Sequence, residues 1–136
     1  MVMVKIAMRH IKGMRFIGET ENHSIILESD YLKEQKAPAP MEAFLMSLGG
    51  CTGMDVIAIL QKMRAEPRKF EIYIEGERAE EHPKVYTKVK IKYHFEGTEY
   101  EKAKKAVELS QNKYCPVSAM LRRSGCIIDY EIEVRE

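Results

Sequence analysis

Alternation of apolar and polar positions opens the chain. Residues 2–8 (Val-Met-Val-Lys-Ile-Ala-Met) alternate imperfectly and predict a strand, and Lys12-Gly13 predicts a turn. Arg15-Phe-Ile-Gly-Glu and His23-Ser-Ile-Ile-Leu-Glu predict two more strands, so the N-terminal part reads as an antiparallel meander. Ser29 to Lys36 is polar and reads as a loop. Pro38 and Pro40 then suit the first turn of a helix. From Met41 the period is helical, with Phe44, Leu45 and Leu48 on one stripe. After Gly49-Gly50 it resumes as Val56, Ile57, Ile59, Leu60 and Met63, apolar nearly all round, which predicts a helix covered on most sides. The two glycines predict a hinge between two helical segments, with Cys51 opening the second.

Downstream, Glu71–Arg78 and Val85–Phe95 alternate strongly and are joined through Glu81-His82-Pro83, which predicts a long β-hairpin. Val85, Thr87, Val89, Ile91, Tyr93 and Phe95 would share its apolar face, and Lys88, Lys90 and Lys92 a solvated one. Tyr100–Lys113 predicts an amphipathic helix with Ala103, Ala106, Val107 and Ser110 on one side. Cys115-Pro116 opens another helix, Gly125 ends it, and Ile127–Val134 alternates as a last strand. The order β-β-β-α-β-β-α-α-β makes residues 1–136 one α+β domain without linker or repeat.

Composition narrows the function. The 136 residues are 45% hydrophobic and 32% charged with a formal net charge of +1, as in a folded globular protein without overall attraction to nucleic acid. No aromatics interleave the lysine row, so nucleic acid is not an expected partner. No run approaches the roughly 18 apolar residues of a spanning helix. The N-terminus lacks the apolar block of a signal peptide, and the expectation is a cytoplasmic protein with no membrane partner.

Three cysteines (Cys51, Cys115 and Cys126) at wide spacing are a poor disulfide framework and point to buried, catalytic or redox thiols. Cys115 precedes a proline suited to the first helical position, so its thiol would lie at an N-cap, where unpaired N–H groups and the helix dipole favour a thiolate. Cys51 would gain the same help if the hinge exists. Asp55, four residues on, shares its helical face, where a charged carboxylate would oppose ionisation. Glu42 lies nine residues before Cys51, about half a turn out of phase on one straight helix, so the two meet only across a break.

Pro38-Ala-Pro40-Met-Glu42, Leu48-Gly-Gly-Cys51-Thr with a helical run behind it, and Tyr114-Cys115-Pro-Val-Ser-Ala-Met-Leu resemble the motifs of the OsmC/Ohr family. The likeness is greatest to its branch with the Gly-Gly-Cys-Thr signature, and it extends over nearly the whole chain. The resemblance implies an OsmC-like fold, with antiparallel sheets packed on a central buried helix. It also implies an intertwined homodimer whose active sites form between subunits, and thiol-dependent reduction of organic hydroperoxides without metal or flavin. Cys51 then matches the peroxidatic cysteine, Cys115 the resolving one, and Glu42 the acidic residue that holds an arginine against the thiolate. Arg15 is the nearest match for that arginine and Arg9 its rival; Cys126 matches no family position.

On this reading Cys51 attacks the distal peroxide oxygen, and Cys115 condenses with the resulting sulfenic acid. An external dithiol restores both thiols. Phe44, Met46, Leu48, Met54 and Met120 could line a pocket for an apolar peroxide. The alternative from another class is a non-enzymatic module of the same fold that binds a small apolar ligand or senses redox state. A metal site joining Cys115 to His94 or His82 has no supporting ligand spacing.

Overall fold

The computed structural model describes residues 2–29, 31 and 34–136. The chain divides into two compact units, Met1–Met46 and Ser47–Glu136. In the first, β1 (Ala7–Lys12), β2 (Arg15–Glu19) and β3 (Ser24–Glu28) form the expected antiparallel meander in the order β1-β2-β3. Gly13 takes φ 56° in the first turn, a conformation that glycine adopts without a Cβ penalty. The first strand begins at Ala7, so residues 2–6 are not part of it. The loop expected at 29–36 lies partly outside the described residues.

Helix α1 (Pro40–Lys62) starts with Pro40 in its first turn, and the Glu42 carboxylate accepts the Ala39 N–H at 2.9 Å. That contact is the returning half of a capping box and satisfies one of the donors a helix start leaves open. The helix then runs unbroken through Gly49-Gly50, so the expected hinge is absent. The glycines serve packing instead. A Cβ at Gly49 or Gly53 would lie 3.0 Å from Ile74 Cδ1 or Ile72 Cδ1, and their absence lets the sheet approach the helix. Of α1, only Leu48, Thr52, Val56 and Leu60 are buried, a single i, i+4 stripe rather than the all-round cover expected. By length and composition α1 is also long and apolar enough to cross a membrane, against the expectation that no run is; the core helix of a soluble protein passes the same test.

In the second unit β4 (Lys69–Arg78) and β5 (Tyr86–Glu96) form the predicted hairpin, from Lys69↔Glu96 to Arg78↔Tyr86. An irregularity between Glu77 and Arg78 shifts the register by one residue. It corrects the expected face: Tyr86 is buried while Val85 and Thr87 are exposed, and Val89, Ile91, Tyr93 and Phe95 keep the core side. Helix α2 (Tyr100–Leu109) buries Ala103, Ala106 and Val107 on one side. It widens at Ser110–Tyr114 into a π turn, where an α-helix had been expected to residue 113. Helix α3 (Pro116–Arg123) follows, and Gly125 at φ 94° ends it as predicted.

Strand β6 (Ile127–Arg135) returns parallel to β5, so this sheet is mixed rather than antiparallel throughout. A parallel partner requires a long crossover, which α2, the π turn and α3 provide. Lys88 and Lys92 meet Asp129 and Glu133 of β6 at 3.4 and 3.0 Å, so part of the lysine row is neutralised across strands.

Candidate active site at the start of the third helix

The π turn decides where the second thiol goes. The Cys115 N–H reaches back to the Ser110 carbonyl at 2.8 Å, and the chain then turns sharply into α3 with Cys115 as N-cap and Pro116 behind it. The Ser118 N–H donates to Cys115 Sγ at 3.4 Å. Cys51 faces this point from α1, where the Val117 N–H favours its thiolate. Both sulfurs therefore sit on donors from the first turn of α3. Since Cys51 lies inside an unbroken helix, the dipole help expected from its own helix is replaced by help from this other one.

Cys51, Cys115 and Asp55 place their sulfur and carboxylate oxygen atoms within 4.8 Å of one another. Both thiols are reduced; Cys115 is buried and Cys51 half-buried. The Cys51 thiol is pushed up from 9.0 to about 11, first by burial, then by its hydrogen bond with Cys115 and the charges of Cys115 and Asp55, against the opposing Val117 N–H. Among the described residues, no cation is paired with Asp55 or is among the groups acting on Cys51.

Behind Asp55 runs a row of buried polar groups that the sequence pattern did not single out. Ser110 Oγ donates to Asp55 Oδ2 at 2.9 Å, and Thr52 Oγ1 lies 2.7 Å from both Ser110 Oγ and Tyr93 OH. Gln111 Nε2 donates to Tyr93 OH at 2.7 Å, and Arg122 donates to the Gln111 carbonyl and Oε1 at 2.6 and 2.9 Å. The ends settle every proton. A guanidinium only donates, and an ionised carboxylate only accepts. Because Ser110 gives its proton to Asp55, it accepts from Thr52, which accepts from Tyr93, which accepts from Gln111. The clue in sequence was polar residues on apolar faces: Ser110 beside Ala106 and Val107, and Tyr93 between Ile91 and Phe95. Ser118 Oγ is buried with no partner among the described residues.

The other expected site residues belong to the first unit. Arg15 pairs with buried Glu28 at 3.4 Å, and Glu28 also accepts the Lys36 N–H at 2.9 Å. Arg9 pairs with Glu19 at 2.8 Å. Glu42 takes the Ala39 N–H and the Gln35 amide, and among the described residues it forms no ion pair with an arginine. Cys126 is buried, as expected, and burial raises its thiol pKa. The groups that could share a metal with Cys115 are Cys51 and Asp55 rather than a histidine, and His94 is taken up by Glu96 and Glu133. Of the residues expected to line a pocket, Leu48 is core, while Phe44, Met46, Met54 and Met120 are exposed. A groove of about 420 Å³ instead lies beside Asp55, lined also by Ala58, Ile59, Lys62, Met63, Leu109 and Tyr114.

Residues 33–131 match the family model described as OsmC-like protein. The chain is similar to Protein YhfA of Escherichia coli K12, 36% identical over 126 residues that cover 90% of this chain and 92% of that one. Its fold matches the crystal structure of a hypothetical protein from Aquifex aeolicus VF5 with TM-score 0.85, 33% identity and full coverage of both chains. It also matches the organic hydroperoxide resistance protein OhrB of Bacillus subtilis with TM-score 0.67 and 98% coverage of both chains, at 16% identity.

Proposed function

The chain belongs to the OsmC-like protein family, and on that premise we propose that it is a cysteine-based peroxidase that reduces organic hydroperoxides. The observation that carries this reading is the pair of reduced thiols within 4.8 Å, both held by N–H groups of the first turn of α3. Cys51 Sγ, as thiolate, attacks the distal peroxide oxygen; the O–O bond breaks, and the alkoxide takes a proton and leaves as alcohol. The sulfenic acid left on Cys51 condenses with the Cys115 thiol to a disulfide and water, and an external dithiol returns both thiols. No cofactor takes part. The groove beside Asp55, apolar apart from Asp55 and Lys62, suits a hydrophobic peroxide tail.

The reaction needs Cys51 ionised, whereas burial, Cys115 and Asp55 hold its proton on. A cation must therefore join the thiol. The family pattern assigns that part to Arg15 with Glu42, in a cytoplasmic homodimer whose sites form between subunits. Exposed Phe44, Met46 and Met54 on a helix that buries one stripe favour such an assembly.

Peroxide consumption with a dithiol reductant tests the reading. Wild type should turn over cumene hydroperoxide, Cys51→Ser should not, and Cys115→Ser should stop at a sulfenic acid trapped by dimedone. Arg15→Met should move the pH midpoint of Cys51 alkylation upward. Absence of turnover with every dithiol tried would refute the peroxidase reading. The raised Cys51 pKa specifically favours one rival, a non-enzymatic module that binds a small apolar ligand or senses redox state, and that rival expects no turnover.

A further inference from the structure

Two thiols and a carboxylate converge, and among the described residues no cation forms an ion pair with the carboxylate, yet each of the three has a hydrogen-bond donor behind it. The Ser118 N–H serves Cys115 Sγ, the Val117 N–H serves Cys51 Sγ and the Ser110 hydroxyl serves Asp55 Oδ2. This is the arrangement of metal ligands held by outer-shell partners, which fix ligand direction and screen thiolate charge. Tetrahedral zinc with bonds of about 2.3 Å to sulfur and about 2.1 Å to oxygen needs sulfurs about 3.8 Å apart and sulfur–oxygen separations of about 3.6 Å. The three ligand atoms lie within 4.8 Å of one another, so rotation about side-chain bonds closes the remaining gap. Half-buried Cys51 and Asp55 leave a way in, and Asp55 Oδ1 is not committed to Ser110.

We propose that the reduced Cys51–Cys115–Asp55 cluster binds one thiophilic divalent cation of the zinc class, with a fourth coordination position open to water. Binding exchanges two thiol protons for the ion. Cation and disulfide are mutually exclusive, because the same two sulfurs serve both. Oxidation removes two electrons from the bound thiolates, forms the S–S bond and releases the ion. With an organic hydroperoxide as oxidant, two protons are taken up and alcohol and water leave. The site would thus hold metal while reduced and discharge it on oxidation. Ligation itself requires no peroxidase activity, so the inference stands apart from that reading.

Titration of the reduced protein with Co²⁺, without peroxide, tests it. The expected result is one ion per chain, a thiolate-to-cobalt charge-transfer band in the near ultraviolet and intense visible d–d bands, all displaced by Zn²⁺. Cys115→Ser keeps a good N-cap and should remove most of the charge-transfer intensity. Asp55→Ala should weaken binding by at least about tenfold, and Ser110→Ala by about 10- to 100-fold through lost orientation. Diamide, a thiol oxidant that is not a peroxide, should release one ion per disulfide to a chromogenic chelator. Either of two results would overturn the proposal: no thiolate–cobalt band in the reduced wild type, or an Asp55→Ala affinity equal to wild type with circular dichroism unchanged. Peroxide turnover, present or absent, bears only on the peroxidase reading.

Discussion

Thr52→Val removes one hydroxyl from the middle of the buried row while keeping the side-chain shape. Thr52 is fully buried, and its Oγ1 lies 2.7 Å from both Tyr93 OH and Ser110 Oγ. Two neutral hydrogen bonds at about 1 kcal/mol each give about 2 kcal/mol. The Tyr93 hydroxyl also loses its acceptor in the core, adding about 1 kcal/mol at the low end of the desolvation penalty. The expected loss is therefore about 3 kcal/mol. With a urea slope of about 2 kcal/mol/M, the unfolding midpoint should fall by about 1.5 M. Circular dichroism at fixed protein concentration measures it, since association would shift the midpoint by mass action. Thr52→Ser keeps the hydroxyl and gives up one buried methyl, so it should cost only about 1 kcal/mol. A Thr52→Val midpoint within about 0.3 M of wild type, or Thr52→Ser as damaging as Thr52→Val, would refute the reasoning.

Other substitutions probe the helix and the thiols. Glu42→Ala should cost about 0.5–1 kcal/mol through loss of the Ala39 contact, and Glu42→Gln should recover most of it in thermal unfolding. Gly50→Ala should stabilise by about 0.5–1 kcal/mol, because its Cβ would meet nothing within 4 Å of this chain and alanine is the better helix former. Gly49→Ala, 3.0 Å from Ile74 Cδ1, should lose part or all of that gain; equal gains at both positions would show that close approach is not why Gly49 is glycine. Folding raises Cys51 from 9.0 to about 11 and Tyr93 from 10.0 to about 12, both chiefly by burial. Each holds its proton more tightly when folded, so their contribution is complete below about pH 9 and is lost as pH rises through 9 to 12. Urea midpoints should be lower at about pH 11 than at about pH 8, and less so in Cys51→Ser.

Local signals in the chain were read well. Alternation located β2 to β6, and Cys115-Pro116 with Gly125 located α3, because caps and strand periods act over a few residues. Gly49-Gly50 is ambiguous in sequence, since a residue without a side chain looks the same whether it supplies flexibility or lets a neighbour approach. Only the position of Ile72 and Ile74 on β4 separates the two. The face of β5 was wrong at Val85 and Thr87 because one extra residue in the ladder inverts everything beyond it. Of the site, Cys51 and Cys115 were legible as a pair through their motifs. The row behind them was not: its members at 52, 93, 110, 111 and 122 are joined by tertiary packing that no spacing rule encodes. Asp55 was legible by its helical phase, but its hydrogen bond to Ser110 was not.

The row from Arg122 to Asp55 has a sense, like a one-way street. With a group that can only donate at one end and one that can only accept at the other, four intervening residues have a single lowest-energy arrangement of protons. Asparagine at position 55 could offer either an oxygen or an N–H to Ser110, but the Gln111 amide, held by Arg122, would still donate to Tyr93, so a reversed row would leave the Tyr93 proton without an acceptor. The guanidinium end thus sets the orientation of a tyrosine proton inside the core, and the carboxylate end beside the two sulfurs sets that of the last hydroxyl, Ser110.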